Sequence, residues 1–202
     1  SNANHVLTDF LTTGVYDRNR EFIRTISPSM DILISSNLER LLYYMSDCDA
    51  DFVKGCMDEL AQTGKYQIPA EMLKKIQSLF DCGYIDDAQT KAVIGKTYKE
   101  TNEILDPHSA IGYEIGKEAK ERPMVSLATA SPYKFAQDVL ASIGVTEEDP
   151  MQAMKKLEEY AHEKTPKGLA ELNDLPILHK DVIAIDEMKQ DVANYIEELF
   201  HD

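Results

Sequence analysis

Two hydroxyl side chains lie where an apolar run of this sequence meets a predicted helix. The run Leu127-Ala-Thr-Ala-Ser-Pro132 contains Thr129 and Ser131. If residues 124–129 form a buried strand, both hydroxyls lie at its carboxyl end, where the next helix offers unpaired N–H groups to a ligand. Either hydroxyl could then hydrogen-bond a cofactor. Spacing alone favours a simpler interpretation, in which Ser131 caps the helix and Thr129 is an ordinary β-branched strand residue.

Three further polar residues lie at predicted helix starts. Asp106 precedes Pro107 and is predicted to cap a helix rather than to act as a catalytic acid. His108 lies in the first turn of that helix and is predicted to be at the surface. Lys134 lies in the first turn of the next helix, where a cation opposes the helix dipole, and it could meet an anionic substrate. None of these patterns assigns a catalytic residue.

Loops for phosphate binding and sites for metal ions are not indicated. The 9 glycines are scattered, without a GxGxxG or GxxxxGK pattern. The 5 histidines are dispersed, and the cysteines Cys48, Cys56 and Cys82 lack the spacing of metal ligands. We expect no metal site, and we expect reduced cysteines, which suits the cytoplasm.

The charge balance argues against two classes of partner. The chain has 21 Lys and Arg against 36 Asp and Glu, a net charge of −15. Coulomb repulsion therefore opposes binding to nucleic acid or to anionic lipid. No apolar run is long enough to span a bilayer. We expect a cytoplasmic protein that binds neither nucleic acid nor membrane.

Helical patterns dominate the chain. Apolar stripes at helical spacing predict a block of four helices over residues 37–100, with Asn37 as its first cap and Gly64 as a helix stop. The pairs Asp106-Pro107, Ser131-Pro132 and Asp149-Pro150 each place a capping oxygen before a proline at the first helical position. Further helices are therefore predicted at about 108–121, 133–143, 151–164 and 186–200.

Strand patterns are few. Residues 124–129 form the clearest one, and residues 31–35 and 182–185 are further candidates. The predicted fold class is α/β but predominantly helical, with either a minimal sheet or a partial parallel sheet whose other strands lie outside this sequence. The expected divisions are a first segment at 1–36, the helical block at 37–100, and an αβα core with C-terminal helices at 101–202. Ser1-Asn2-Ala3 is left out of the fold prediction because it resembles the remnant of a cleaved expression tag.

Four motifs in order resemble those of threonine synthases. The first motif is Asn4–Arg18, and the second consists of the SPSMDI and SNxERLL blocks in Thr25–Ile32 and Ser35–Leu42. The third, Leu105-Asp-Pro-His-Ser-Ala110, is similar to a DPHTA motif with serine for threonine. The fourth, Leu127-Ala-Thr-Ala-Ser-Pro-Tyr-Lys-Phe135, is similar to a STAxPxKF motif. Because these motifs belong to the later part of that family, the chain resembles its C-terminal part.

The resemblance implies a fold type II pyridoxal-phosphate (PLP) enzyme that converts O-phospho-L-homoserine and water to L-threonine and phosphate. It also implies that the hydroxyl of Thr129 faces the pyridine nitrogen of the cofactor, which replaces the simpler interpretation of that residue. Asp106, His108, Ser131 and Lys134 become candidate neighbours of the active site only because they lie in matching motifs.

The family's Schiff-base lysine and its glycine- and asparagine-rich phosphate loop precede the first matching motif, and nothing in these 202 residues matches them. We therefore expect the chain alone to be inactive and to bind PLP weakly at best. We also expect it to expose a truncation face through which it could self-associate. The alternative hypothesis is a non-enzymatic helical module that binds or regulates a partner while retaining the family scaffold.

Overall fold

Helices make up most of the computed structural model, which describes residues 1–119 and 123–200. The predominantly helical α/β fold class is confirmed. The helices are α1 Val6–Thr13, α2 Ser36–Met45, α3 Ala50–Thr63, α4 Ala70–Gln77, α5 Asp87–Thr101, α6 Pro107–Gly116, α7 Ala136–Ser142, α8 Pro150–Ala161, α9 Lys167–Ala170 and α10 Met188–Phe200. Short 3₁₀ turns cover Pro28–Met30, Pro132–Phe135, Leu172–Asp174 and Ile185–Glu187. Two strands, β1 Val15–Asp17 and β2 Lys65–Gln67, pair antiparallel with Tyr16 opposite Tyr66.

The three predicted proline-linked caps are confirmed. Side-chain oxygens of Asp106, Ser131 and Asp149 accept backbone N–H groups of the turns that they begin. These bonds satisfy donors that have no partner inside the helix. Gly64 ends α3 with φ +80°, a left-handed conformation that glycine adopts without steric cost. The predicted cap at Asn37 is wrong, because α2 already begins at Ser36.

One apolar cluster joins α1 to α4 and the two strands. Its fully buried centre contains Phe10, Tyr16, Leu42 and Ile76. The rings of Tyr16 and Tyr66 stack across the strands with centroids 5.3 Å apart. Such a short strand pair has few backbone bonds, so we attribute its persistence to this buried packing.

A second apolar cluster joins α5, α6, α7 and α8. Ile94, Ile111, Leu140 and Leu157 lie at its centre, each almost fully shielded from solvent. The helices of the predicted block therefore contribute to different clusters, since α2 to α4 belong to the first and α5 to the second. The boundaries at 1–36, 37–100 and 101–202 stay a prediction.

The first residues of the chain are part of the fold. Asn2 is 1% exposed, and its side-chain amide donates to Thr25 Oγ1 at 2.8 Å and to Asp31 Oδ1 at 2.7 Å. Asn4 donates to the same carboxylate oxygen at 3.0 Å. Asn2, which the fold prediction left out, therefore joins a polar network with residues on both sides of the turn Pro28–Met30.

The predicted strands are wrong. Residues 124–129 make no strand pairing within the described chain, nor do residues 31–35 and 182–185, and the paired strands β1 and β2 are antiparallel rather than parallel. A short apolar run between breakers is equally compatible with an extended segment that packs on a helix. The predicted helix at 108–121 begins as expected and ends at Gly116, while residues 120 and 121 of the prediction lie outside the described residues.

Residues 171–202 form a second unit, separate from Ser1–Ala170. Its main element is α10, which confirms the last predicted helix. The apolar stripe of α10 is exposed, including Val192, Ile196 and Leu199. Across the part of the chain that the structure describes, no helix combines the length and the apolar character required to cross a membrane.

Candidate active-site segment

Asp106 organises the start of α6. It is 2% exposed, and its Oδ1 accepts the backbone N–H of His108 at 2.9 Å and the His108 Nδ1 at 3.0 Å. Its Oδ2 accepts the hydroxyl of Ser109. The carboxylate thus uses both oxygens inside the protein, which confirms the capping role and leaves no sign of a catalytic acid.

His108 is buried, so its predicted surface position is wrong. It is 8% exposed, and its Nε2 accepts the backbone N–H of Ser29 at 3.2 Å. Because Nε2 acts as an acceptor, the ring hydrogen lies on Nδ1, where it is donated to Asp106. The imidazole also packs on the ring of Phe135 with centroids 4.8 Å apart. His108 therefore links α6 to the turn Pro28–Met30.

The neighbouring Asp106, His108 and Ser109 have the residue types of a hydrolytic triad but not its geometry. A triad requires the serine hydroxyl to bond the free nitrogen of the histidine. Here the Ser109 hydroxyl donates to Asp106, and the second imidazole nitrogen is occupied by Ser29. The arrangement is a positioning network and does not activate a nucleophile.

Ser109 is the residue that sequence reasoning missed. It is 4% exposed, and its Oγ accepts the backbone N–H of Thr129 at 3.3 Å. Its position three residues after the capping Asp106 is a usable signal, because that position of a helix faces back toward the cap. The sequence gives no such indication that the N–H of Thr129, 20 residues later, bonds the Ser109 hydroxyl.

The segment that follows Pro123 lies along α6. A Cβ at Gly116 would come within 3.2 Å of the Met124 side chain, and one at Gly112 within 3.8 Å of the Ser126 hydroxyl. A Cβ could be accommodated at both glycines, since 3.8 Å is an ordinary contact distance and the nearest Met124 atom is the end of a flexible side chain; the segment lies beside this face of α6. Thr129, at its far end, is exposed.

Ser131 and Lys134 lie in the turn that follows. Ser131 Oγ accepts the N–H of Tyr133 at 3.3 Å, as predicted for a cap. Tyr133 is buried, and its hydroxyl donates to the Glu163 carbonyl at 2.6 Å. Burial raises the pKa of Tyr133, with smaller contributions from Glu158 and Glu163. Lys134 is exposed, and its ammonium lies 5.9 Å from the centre of the Phe135 ring.

An open concavity lies elsewhere, beside α1, α5 and α6. It measures about 660 Å³ and is lined by residues that include Thr8, Gln89, Lys96 and Glu114. None of the predicted site residues lines it. Among the described residues, no group of three histidine, cysteine or acidic side chains is arranged to hold a metal ion. The positioned segment ending at Thr129 is the better candidate for a functional site.

The chain, including this segment, is similar to known proteins. The family described as "Threonine synthase, C-terminal" matches residues 109–196. The human protein "Threonine synthase-like 1" is 36% identical over 150 residues, covering 73% of this chain and 20% of its own length. Threonine synthase of Saccharomyces cerevisiae is 35% identical over 158 residues, covering 69% of this chain and 31% of its own length.

Solved structures give the same result. A PLP-bound threonine synthase from Brucella melitensis superposes with a TM-score of 0.69 at 39% identity, covering 81% of this chain and 35% of that one. Yeast threonine synthase superposes with a TM-score of 0.79 at 30% identity, covering 98% of this chain and 40% of that one. The chain thus spans about a fifth of the human relative and two fifths of the yeast structure.

The fold is therefore that of the C-terminal part of solved threonine synthases. By sequence and by fold the chain matches the C-terminal part of threonine synthases, which are longer proteins.

Proposed function

We propose that this chain supplies the C-terminal part of a threonine synthase, which converts O-phospho-L-homoserine and water to L-threonine and phosphate in threonine biosynthesis. The observation that carries the proposal is the placement of Thr129. The residue lies in the STA-like motif, its side chain is exposed, and its backbone is bonded to a buried serine of the DPHS motif. Two motifs that are 20 residues apart in sequence thus meet at one residue whose side chain is exposed.

The residues present fit one edge of the cofactor. A threonine hydroxyl can donate to or accept from a heteroaromatic nitrogen, so Thr129 would bind the pyridine nitrogen of PLP. When bound, PLP supplies an electron sink for the substrate carbon skeleton. Asp106 and His108 would act only by holding α6 and its neighbours in place. Ser131 and Lys134 would border the site, and the exposed ammonium of Lys134 would attract an anionic substrate.

We further propose that these 202 residues alone do not turn over substrate. No lysine here lies in a motif that matches the family's Schiff-base lysine, and no glycine-rich segment here matches its phosphate loop. A cofactor held by one hydroxyl would bind weakly, because a single hydrogen bond contributes only about 1 kcal/mol.

We also propose a cytoplasmic location and a tendency to self-associate. The described cysteines Cys48, Cys56 and Cys82 are all free thiols, which supports a reducing compartment. Val125 and Leu127 are 73% and 76% exposed beside Thr129. Apolar side chains exposed together favour burial, either against the remainder of the enzyme or against a second copy.

The experiment compares Thr129→Val with Thr129→Ser in a protein that joins this chain to an upstream PLP-binding segment of the family. Valine keeps the shape and removes the hydroxyl, whereas serine keeps the hydroxyl. We expect Thr129→Val to weaken PLP binding about tenfold and to change the visible absorbance of the bound cofactor, because roughly 1–1.5 kcal/mol is lost. We expect Thr129→Ser to resemble the parent.

Unchanged cofactor absorbance and threonine production in Thr129→Val would show that the assignment of Thr129 is wrong. The 202-residue chain mixed with PLP should give no stoichiometric visible signal, and a strong signal would contradict the proposed inactivity. A joined protein that binds PLP but makes no threonine from O-phospho-L-homoserine would favour a non-enzymatic module instead.

A further inference from the structure

The segment after Pro123 lies along one face of α6 and runs in the opposite direction to the helix. Ser109, Gly112 and Gly116 follow one another at spacings of three and four, which places them on one side of the helix. Thr129, Ser126 and Met124 lie against these three positions respectively. The segment therefore runs antiparallel to α6, and one hydrogen bond joins its end to the helix.

That hydrogen bond is directed by a buried carboxylate. A serine hydroxyl has one hydrogen, and Ser109 donates it to Asp106 Oδ2. The lone pairs of Oγ are then available for the Thr129 N–H, which approaches to 3.3 Å. Donation to a carboxylate is charge-assisted and polarises the hydroxyl, which strengthens it as an acceptor. Asp106 and Ser109 are 2% and 4% exposed, so water competes little for the bond between them, whereas the bond to the exposed Thr129 is only partly buried.

The two oxygens of Asp106 have separate tasks. Oδ1 accepts from the start of α6 and from His108, whereas Oδ2 accepts from Ser109. The network therefore joins the turn Pro28–Met30, through His108, to the segment that carries Thr129. Oδ1 caps the backbone N–H groups of α6, whereas Oδ2 accepts the hydroxyl of the Ser109 side chain.

We propose that Ser109 is a positioning residue that fixes the backbone of Thr129, and that Asp106 orients Ser109 for this task. The functional meaning rests on the proposed cofactor contact of Thr129, but the positioning is a property of this chain by itself. Loss of the Ser109 hydroxyl frees the end of the segment while α6 and the core remain folded. A threonine at this position retains the hydroxyl, as the DPHTA form of the motif does.

The experiment measures amide hydrogen exchange by NMR in the full 202-residue chain without cofactor. Ser109→Ala removes the acceptor, Ser109→Cys replaces it with a weak one of similar size, and Ser109→Thr is the matched control. We expect the Thr129 amide to exchange about tenfold faster in the alanine and cysteine variants. The amides of Ile94 and Leu140, in the buried core, report global stability and should not change.

Unchanged exchange at Thr129 in the alanine and cysteine variants would overturn the proposal. It would also be overturned if Ser109→Thr behaved like Ser109→Ala, or if Ile94 and Leu140 accelerated as much as Thr129. Should Ser109→Ala fail to fold, Ser109→Cys carries the test. If Thr129→Val leaves the cofactor spectrum unchanged while Ser109→Ala still releases the Thr129 amide, then the cofactor assignment fails and the positioning role stands.

Discussion

Tyr16 and Tyr66 are two tyrosines in one stack whose hydroxyls have opposite environments. Their rings are 3° from parallel and both residues are nearly fully buried. Tyr16 Oη donates to the Leu33 carbonyl at 2.9 Å and accepts the Ser35 N–H at 2.9 Å. Tyr66 Oη is buried without a hydrogen-bond partner among residues 1–119 and 123–200. Replacement by phenylalanine should therefore have opposite effects at the two positions.

The sizes of the two effects follow from the bonds. Tyr66→Phe removes a buried polar group that has no partner, and it should stabilise the fold by about 1 kcal/mol. Tyr16→Phe removes two hydrogen bonds and leaves a carbonyl and an N–H unpaired, so it should destabilise the fold by about 2 kcal/mol. At roughly 2–4 °C per kcal/mol for a chain of this size, Tm should rise by about 2–4 °C in the first variant and fall by about 4–8 °C in the second.

The assay is urea and thermal unfolding followed by circular dichroism at 222 nm. If Tyr66→Phe lowers the free energy of unfolding as much as Tyr16→Phe does, the Tyr66 hydroxyl must have a partner and the reasoning is refuted. High pH gives an independent check. Burial raises the pKa of Tyr66, so the stability of the parent is complete below the unfolded tyrosine pKa of about 10 and is lost as pH rises above it. The difference in the free energy of unfolding between Tyr66→Phe and the parent should accordingly increase above pH 10.

Two further substitutions test packing and electrostatics. Leu157→Ala, at a fully buried position, should lower the free energy of unfolding by about 2–5 kcal/mol, whereas Leu178→Ala, at a position 78% exposed, should change it by less than about 0.5 kcal/mol in the same urea titration. Hydrogen bonds from Thr165 and Lys164 lower the pKa of Glu158 to about 2. Glu158→Gln should therefore lower Tm at pH 7, and this difference should shrink as pH falls from about 4.3 toward 2; a difference independent of pH would contradict the assignment.

Helix starts could be predicted because their chemistry is local. The oxygens of Asp106, Ser131 and Asp149 bond N–H groups two or three residues later, so the sequence contains both partners within one turn. The same holds for Gly64, whose conformation depends on its own lack of a side chain. The resemblance to threonine synthases was also evident, since four motifs occur in the order found in that family.

Long-range contacts could not be predicted in this way. Residues 124–129 have the apolar pattern of a strand, but the pattern does not state whether a strand or a helix lies beside it. In the structure this segment lies beside α6, with the Thr129 N–H bonded to Ser109, and no local pattern specifies that neighbour. The burial of His108 depends in the same way on Ser29, which is 79 residues away in sequence.

By itself the sequence determined the helices, their caps, the acidic surface charge and the resemblance that singles out Thr129, because each depends on residue types or on partners a few positions apart. Only the tertiary structure decided how Thr129 is held. Its N–H donates to the hydroxyl of Ser109, 20 residues earlier in the chain, and that hydroxyl donates to Asp106. A hydrogen bond between distant residues depends on where packing places the chain, so no local pattern records it.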